Sequence, residues 1–74
     1  MTQTFTGFTT WVELIDHVRA GYPLWYQAPL DYRPVLVTAV IRKDGQLRVT
    51  PPYSNADPFT ADQGHLPRFR QEAQ

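Results

Sequence analysis

The sequence predicts one small α+β domain over residues 1–74, with an N-terminal helix packed on an antiparallel sheet of three to four strands. Two observations predict this class. Apolar residues recur at helical spacing after Thr10, and two β-rich runs flank Asp44-Gly45. Strong curling of such a sheet could close it toward an SH3-like barrel. The chain has no cysteine, so neither disulfides nor thiolate metal sites can supplement its core.

The N-terminal segment leads into the predicted helix. Residues 1–8 are rich in Thr and fit either a short strand or an arm that orders against the body. Thr10 and Glu13 have the spacing of a capping box at a helix start. Gly21 and Pro23 end the helix, which is predicted over Trp11 to Ala20. Its apolar stripe has the spacing i, i+3, i+4, i+7 and consists of Trp11, Leu14, Ile15 and Val18.

Residues 34–50 are predicted to form a central β-hairpin around a two-residue type I′ turn at Asp44-Gly45. The first strand is apolar on both faces, which favours a central position, and residues 46–50 are placed nearer an edge. This register divides the side chains into two sets. One face carries Leu36, Thr38, Val40, Leu47 and Val49. The other face, expected to lie under the helix, carries Val35, Val37, Ala39 and Ile41.

The remaining segments give weaker signals. Residues 24–28 are predicted as a strand beside the hairpin, followed by a proline-bounded loop over residues 29–34. Asp57-Pro58 indicates a second helix start, ended by Gly64. Residues 65–70 fit either a short edge strand or a turn, and residues 71–74 are expected to fray.

Composition excludes several function classes. Seven basic and seven acidic side chains cancel, which argues against a partner held by bulk electrostatics. No apolar run approaches the ~20 residues that span a bilayer, and the N-terminus lacks a signal-peptide pattern. We therefore expect a soluble cytoplasmic protein with no membrane partner.

No residue pattern predicts an enzyme, a metal site or a cofactor. The two histidines, His17 and His65, have no second ligand at metal-binding spacing. Asp57, Asp62 and His65 could converge for proton transfer, but helix capping and solvation account for these carboxylates more simply. The only serine, Ser54, lacks the glycine-flanked elbow of a nucleophile.

The aromatic residues suggest a binding surface. Trp11, Phe59 and Phe69 are assigned to the core, but the loop aromatics exceed what so small a domain can bury. Those loop aromatics are Tyr22, Trp25, Tyr26, Tyr32 and Tyr53. They form either a recognition surface flanked by arginines or part of the core, with the tyrosine hydroxyls exposed to solvent at its edge. The residues predicted to bind a partner are Tyr26, Tyr32, Arg33, Arg42, Lys43, Arg48 and Tyr53.

Residues 24–34 (LWYQAPLDYRP), 56–62 (ADPFTAD) and 65–69 (HLPRF) resemble short proteins encoded by bacteriophages and other bacterial mobile elements. The resemblance implies an accessory protein that binds and inhibits or modulates a host protein complex, as anti-CRISPR proteins do. Two hypotheses follow. The first is a non-enzymatic protein-binding module, which the neutral net charge favours. The alternative is a single-stranded nucleic-acid binder that uses the hairpin and the aromatic residues.

Overall fold

A computed structural model describes residues 4–30, 32–53 and 56–73. They form an α+β domain, as predicted, but the antiparallel sheet has six strands where three to four were expected. The elements in chain order are β1 (Phe5–Thr6), α1 (Trp11–Arg19), β2 (Leu24–Tyr26), β3 (Val35–Ile41), β4 (Leu47–Thr50), β5 (Phe59–Ala61), a 3₁₀ helix (Gln63–Arg68) and β6 (Phe69–Glu72). Within the described residues the strand order is β1-β6-β2-β3-β4-β5, an open sheet that does not close toward a barrel.

The caps of α1 confirm the helix prediction to within one residue. Thr10 Oγ1 accepts the Glu13 backbone N–H at 3.1 Å. The Glu13 carboxylate reaches the N–H of Thr9 at 3.3 Å, one residue before the usual capping-box position. At the other end Gly21 has φ +84°, and Tyr22 N–H donates to the His17 carbonyl at 3.3 Å. These features form a Schellman motif. The motif needs a positive φ at the position of Gly21, and glycine adopts a positive φ at low cost.

The hairpin connection differs from the predicted two-residue turn. Gly45 has φ +86°, but Asp44 does not have a positive φ, so the turn is not type I′. Gly45 N–H donates to the Arg42 carbonyl at 2.9 Å, and Arg42 N–H donates to the Gln46 carbonyl at 2.8 Å. This is a three-residue loop closed by a left-handed glycine, and it shifts the register by one residue.

The shifted register corrects the predicted division of the two faces. Ile41 lies opposite Leu47, and Ala39 lies opposite Val49. Leu47 and Val49 therefore share the helix-covered face with the odd-numbered residues of β3, and both are fully buried. A one-residue shift has this effect because side chains alternate between faces along a strand.

The core lies between α1 and one face of the sheet. Its buried members are Leu14, Leu24, Val37, Leu47, Val49, Ala61 and Phe69. Trp11, Ile15 and Val18 of the predicted stripe pack against this cluster while remaining partly exposed. The expected packing of the helix on the face that carries Val37 is thus confirmed, and we call this the covered face.

The predicted second helix at Asp57-Pro58 is wrong. Residues 59–61 form β5, because Phe59 and Ala61 alternate onto the covered face opposite Val49 and Leu47. The cap lies at Asp62, whose carboxylate accepts Gly64 N–H at 2.8 Å and starts the 3₁₀ helix. Tertiary burial of the Phe59 strand overrides the local Asp-Pro signal.

The C-terminal segment is a strand inside the sheet. Phe69 and Arg70 pair with β2, and Gln71 and Glu72 pair with β1. Ala73 N–H also donates to the Thr4 carbonyl at 2.8 Å, so the expected fraying is wrong for residues 71–73. Residue 74 lies outside the described residues, as do residues 1–3, Asp31, Ser54 and Asn55. Of the two alternatives for residues 1–8, β1 supports the short strand.

β2 and β3 pair as predicted. Leu24 lies opposite Val37 and Tyr26 opposite Val35, although β2 ends two residues earlier than expected. β3 is central, since β2 and β4 flank it. β4 is the second strand from the sheet edge, consistent with its predicted position.

Candidate interaction surface

The side of the sheet opposite α1 has no covering element within the described residues. Leu36 and Val40 are 49% and 56% exposed, whereas Val37 between them is 8% exposed. Cross-strand pairing brings Trp25 opposite Leu36 and Arg48 opposite Val40. By strand alternation this side, which we call the open face, carries Phe5, Trp25, Leu36, Thr38, Val40, Arg48, Thr50, Thr60, Arg70 and Glu72.

One end of the open face is closed by internal contacts. The Phe5 ring packs on Trp25 with centroids 4.9 Å apart and an interplanar angle of 62°. The Trp25 indole nitrogen is buried and has no hydrogen-bond partner among the described residues. Arg70 lies opposite Trp25, and its guanidinium donates to the backbone carbonyls of Phe69 and Pro67. Trp25 and Arg70 therefore stabilise the fold through internal contacts and offer little of their side chains to a binding partner.

The hairpin end of the open face is basic. Arg48 lies opposite Val40, and Arg42 and Lys43 follow the end of β3. Within the described ranges no carboxylate lies within ion-pair distance of these three cations. Asp44 lies in the same turn, but its carboxylate accepts Gln46 N–H at 3.1 Å. The hairpin end thus presents cations that a partner could reach.

Two loops extend the apolar surface at the other end of β3. Leu30 is 94% exposed and Tyr32 is 100% exposed in the loop before β3, and Tyr53, after β4, is 52% exposed. With Arg33, these residues form what we call the loop rim. The described chain has seven exposed large hydrophobic side chains, and five of them lie on β3 or in these loops. Such concentration is unusual for scattered surface residues and marks a candidate interaction site.

The predicted binding residues do not form one cluster. Tyr32, Arg33 and Tyr53 lie at the loop rim, whereas Arg42, Lys43 and Arg48 lie at the hairpin end. The seven residues of β3 separate these groups by about 20 Å. Tyr26 lies on the covered face, where its ring contacts Phe59 and Phe69 at centroid distances of 5.5 and 5.1 Å. The structure therefore gives Tyr26 a packing role.

Sequence reasoning missed Leu36 and Val40 as surface residues. The predicted two-residue turn put them on the same face as Leu47 and Val49, which made that face look like core. Period-two alternation was the right signal, and the loop length determined which residues shared a face.

The histidines have structural partners. His17 Nε2 donates to the Pro23 carbonyl at 2.7 Å. His65 Nδ1 accepts the Asp62 backbone N–H at 3.2 Å and completes the cap of the 3₁₀ helix. Asp62 and His65 are thus close together, and their contacts form the N-terminal cap of the 3₁₀ helix. This geometry adds no support to the hypothesis that they transfer protons.

The described residues offer no cluster of three or more His, Asp or Glu side chains that could hold a metal ion. In the same part of the chain, no helix has the length and apolar character required to cross a membrane.

Comparisons of the sequence and fold with protein-family models, curated proteins and solved structures found no match.

Proposed function

We propose that this chain is a non-enzymatic protein-binding module that uses the open face and the loop rim. The observation that supports this proposal is the concentration of exposed apolar side chains on β3 and its flanking loops. The resemblance to short phage proteins suggests a host protein or protein complex as the partner. Binding would then inhibit or modulate that complex.

The chemistry of the open face favours protein over nucleic acid. Its exposed apolar centre is aliphatic, formed by Leu36 and Val40. Aliphatic side chains pack well against a protein but provide no ring on which a base can stack. Trp25 is half-buried, and Phe5 already packs against it. The neutral net charge also lacks the basic excess typical of nucleic-acid binders.

The charges define the kind of protein surface that would fit. A partner would place apolar side chains over Leu36 and Val40 and carboxylates near Arg42 and Arg48. Complementary charge of this sort mainly raises the association rate and fixes orientation, whereas the buried apolar contacts supply most of the affinity.

One observation favours single-stranded nucleic acid as the alternative ligand. Arg42, Lys43 and Arg48 have no carboxylate partner among the described residues, and Tyr32 and Tyr53 expose their rings. Phosphate contacts and base stacking use these residue types. The separation of about 20 Å between the two groups would require a strand to cross the whole open face.

Affinity capture with two matched variants tests the protein-binding proposal. Leu36→Asp puts a carboxylate in the centre of the open face, and Val12→Asp puts one on the exposed side of α1, where Val12 is 68% exposed. Immobilised wild type and Val12→Asp should retain the same bacterial protein, identified by mass spectrometry, and Leu36→Asp should lose it. Native amide spectra for both variants establish that they are folded. Equal retention by all three proteins would contradict the proposal.

A further inference from the structure

The strand β5 lies at one edge of the sheet. It pairs with β4 on its inner side, and no strand among the described residues pairs with its outer side. An edge strand presents backbone N–H and C=O groups to solvent and can act as a template for a strand of another chain. The outer edge of β5 is therefore open to strand addition unless neighbouring residues block it.

The strand register determines which backbone groups of β5 point outward. Arg42 N–H donates to the Gln46 carbonyl, so even-numbered residues in and next to β4 direct their backbone groups toward β3. Odd-numbered residues of β4 therefore face β5, where they lie opposite Phe59 and Ala61. Because the direction alternates along a strand, the N–H and C=O of Thr60 point away from the sheet.

The outward-facing positions on either side of Thr60 are blocked. Pro58 has no backbone N–H to donate. Asp62 continues the extended conformation, with φ −131° and ψ −174°. Its N–H donates to His65 Nδ1 at 3.2 Å, and its carbonyl accepts His65 N–H at 2.9 Å. The contacts that cap the 3₁₀ helix thus also occupy the backbone of the sheet edge, and Thr60 is the one position of the three that stays open.

We propose that Pro58, Asp62 and His65 form an edge guard, which keeps a second copy of this chain from pairing with β5. A second copy fits because the edge is self-complementary. A two-fold axis at Thr60 would pair Thr60 with its equivalent and would place Asp62 opposite Pro58 of the other copy. The Asp62 N–H would then donate to that Pro58 carbonyl, but His65 Nδ1 already accepts it. The Thr60 pair by itself is too small an interface to hold two copies together.

Two carboxylates reinforce the edge guard. Asp57 precedes Pro58, Asp62 follows Ala61, and both aspartates are exposed. In the two-fold pairing Asp62 of one copy would lie next to Asp57 of the other, and like charges at a strand edge oppose pairing. The edge guard consists of backbone contacts and residues that flank β5, so it does not depend on the proposed function of the open face.

Removal of the edge guard tests the proposal by sedimentation velocity and amide hydrogen exchange. Pro58→Thr restores an N–H at an exposed position, and His65→Ala releases the Asp62 N–H. The double variant should dimerise at concentrations where the wild type is monomeric. Its Thr60 amide should become protected from exchange in the dimer, because the Thr60 of the other copy accepts it.

The matched control combines Pro52→Thr with His17→Ala. Pro52 is exposed and lies outside β5, and His17 loses one hydrogen bond to a backbone carbonyl, so the control should stay monomeric. Pro58→Thr alone keeps the cap of the 3₁₀ helix and should still dimerise, about tenfold more weakly than the double variant because it forms fewer hydrogen bonds. It therefore tests the edge guard even if His65→Ala unfolds the chain.

Three results would refute the edge guard. The first is a folded Pro58→Thr or double variant that stays monomeric. The second is a dimer in which the Thr60 amide exchanges as fast as in the control, since such a dimer pairs elsewhere. The third is a wild-type protein that already dimerises with a protected Thr60 amide.

Discussion

The two faces of β3 have similar apolar content but opposite environments. Val37 and its odd-numbered neighbours lie under α1, whereas Leu36 and Val40 face outward on the open face. The reason is that the described chain has too few helices to cover both faces of the sheet. The described chain has one nine-residue α-helix and one short 3₁₀ helix, and α1 packs over only one side of the sheet. An apolar strand therefore does not imply burial on both faces. We propose that a partner covers the open face.

Breaking the covered face should have the largest effect. Leu14 is fully buried, so Leu14→Ala should lower the free energy of unfolding by ~2–5 kcal/mol. Val12→Ala, on the exposed side of the same helix, should change it by no more than about 0.5 kcal/mol. Urea unfolding followed by circular dichroism measures both. Equal midpoints for Leu14→Ala and the wild type would rule out this packing of α1.

The loop at Gly45 determines which residues share each face. Gly45→Val forces a β-branched side chain to φ +86° and should cost ~1–3 kcal/mol. Any register shift would show as loss of the nuclear Overhauser contacts between Ile41 and Leu47, which lie opposite each other. Gly7→Ala is the control, because an added Cβ would meet only ordinary contacts at 3.8 and 3.9 Å. A Gly45→Val variant as stable as the control would show that the loop is not held in this conformation.

A pair of adjacent substitutions sharpens the comparison of faces. Val37→Thr buries a hydroxyl on the covered face and should cost ~1–3 kcal/mol if that hydroxyl stays unpaired. Leu36→Thr places the same side chain on the open face, where the change should stay within about 0.5 kcal/mol. Differential scanning calorimetry of the two variants gives the difference. Similar losses at both positions would mean that the open face is covered.

Local sequence signals predicted α1 well. Thr10 and Gly21 act through contacts within four residues, so spacing alone identifies them. The hairpin was located by the same kind of signal, but Asp44-Gly45 fits a two-residue or a three-residue loop. Packing of Leu47 and Val49 under α1 distinguishes these loops, and that packing is not local.

The C-terminal third was the least predictable part. The strand β6 carries the sequence Phe69-Arg-Gln-Glu72, which has no alternating apolar pattern, yet it lies between β1 and β2. Pairing with distant residues such as Phe5 stabilises it, and no local rule reveals such a partner. The exposure of Leu36 and Val40 was missed for a related reason, since it depends on the register and on how few helices cover the sheet.

We propose that the open face binds protein and not nucleic acid. Fluorescence anisotropy with single- and double-stranded oligonucleotides, at several salt concentrations, tests it most directly. We predict only weak binding at physiological salt without sequence preference, because seven carboxylates balance seven basic groups and the exposed centre of the face is aliphatic. A submicromolar affinity that falls steeply with salt, and that Arg42→Gln or Arg48→Gln weakens, would contradict the claim and favour the nucleic-acid alternative.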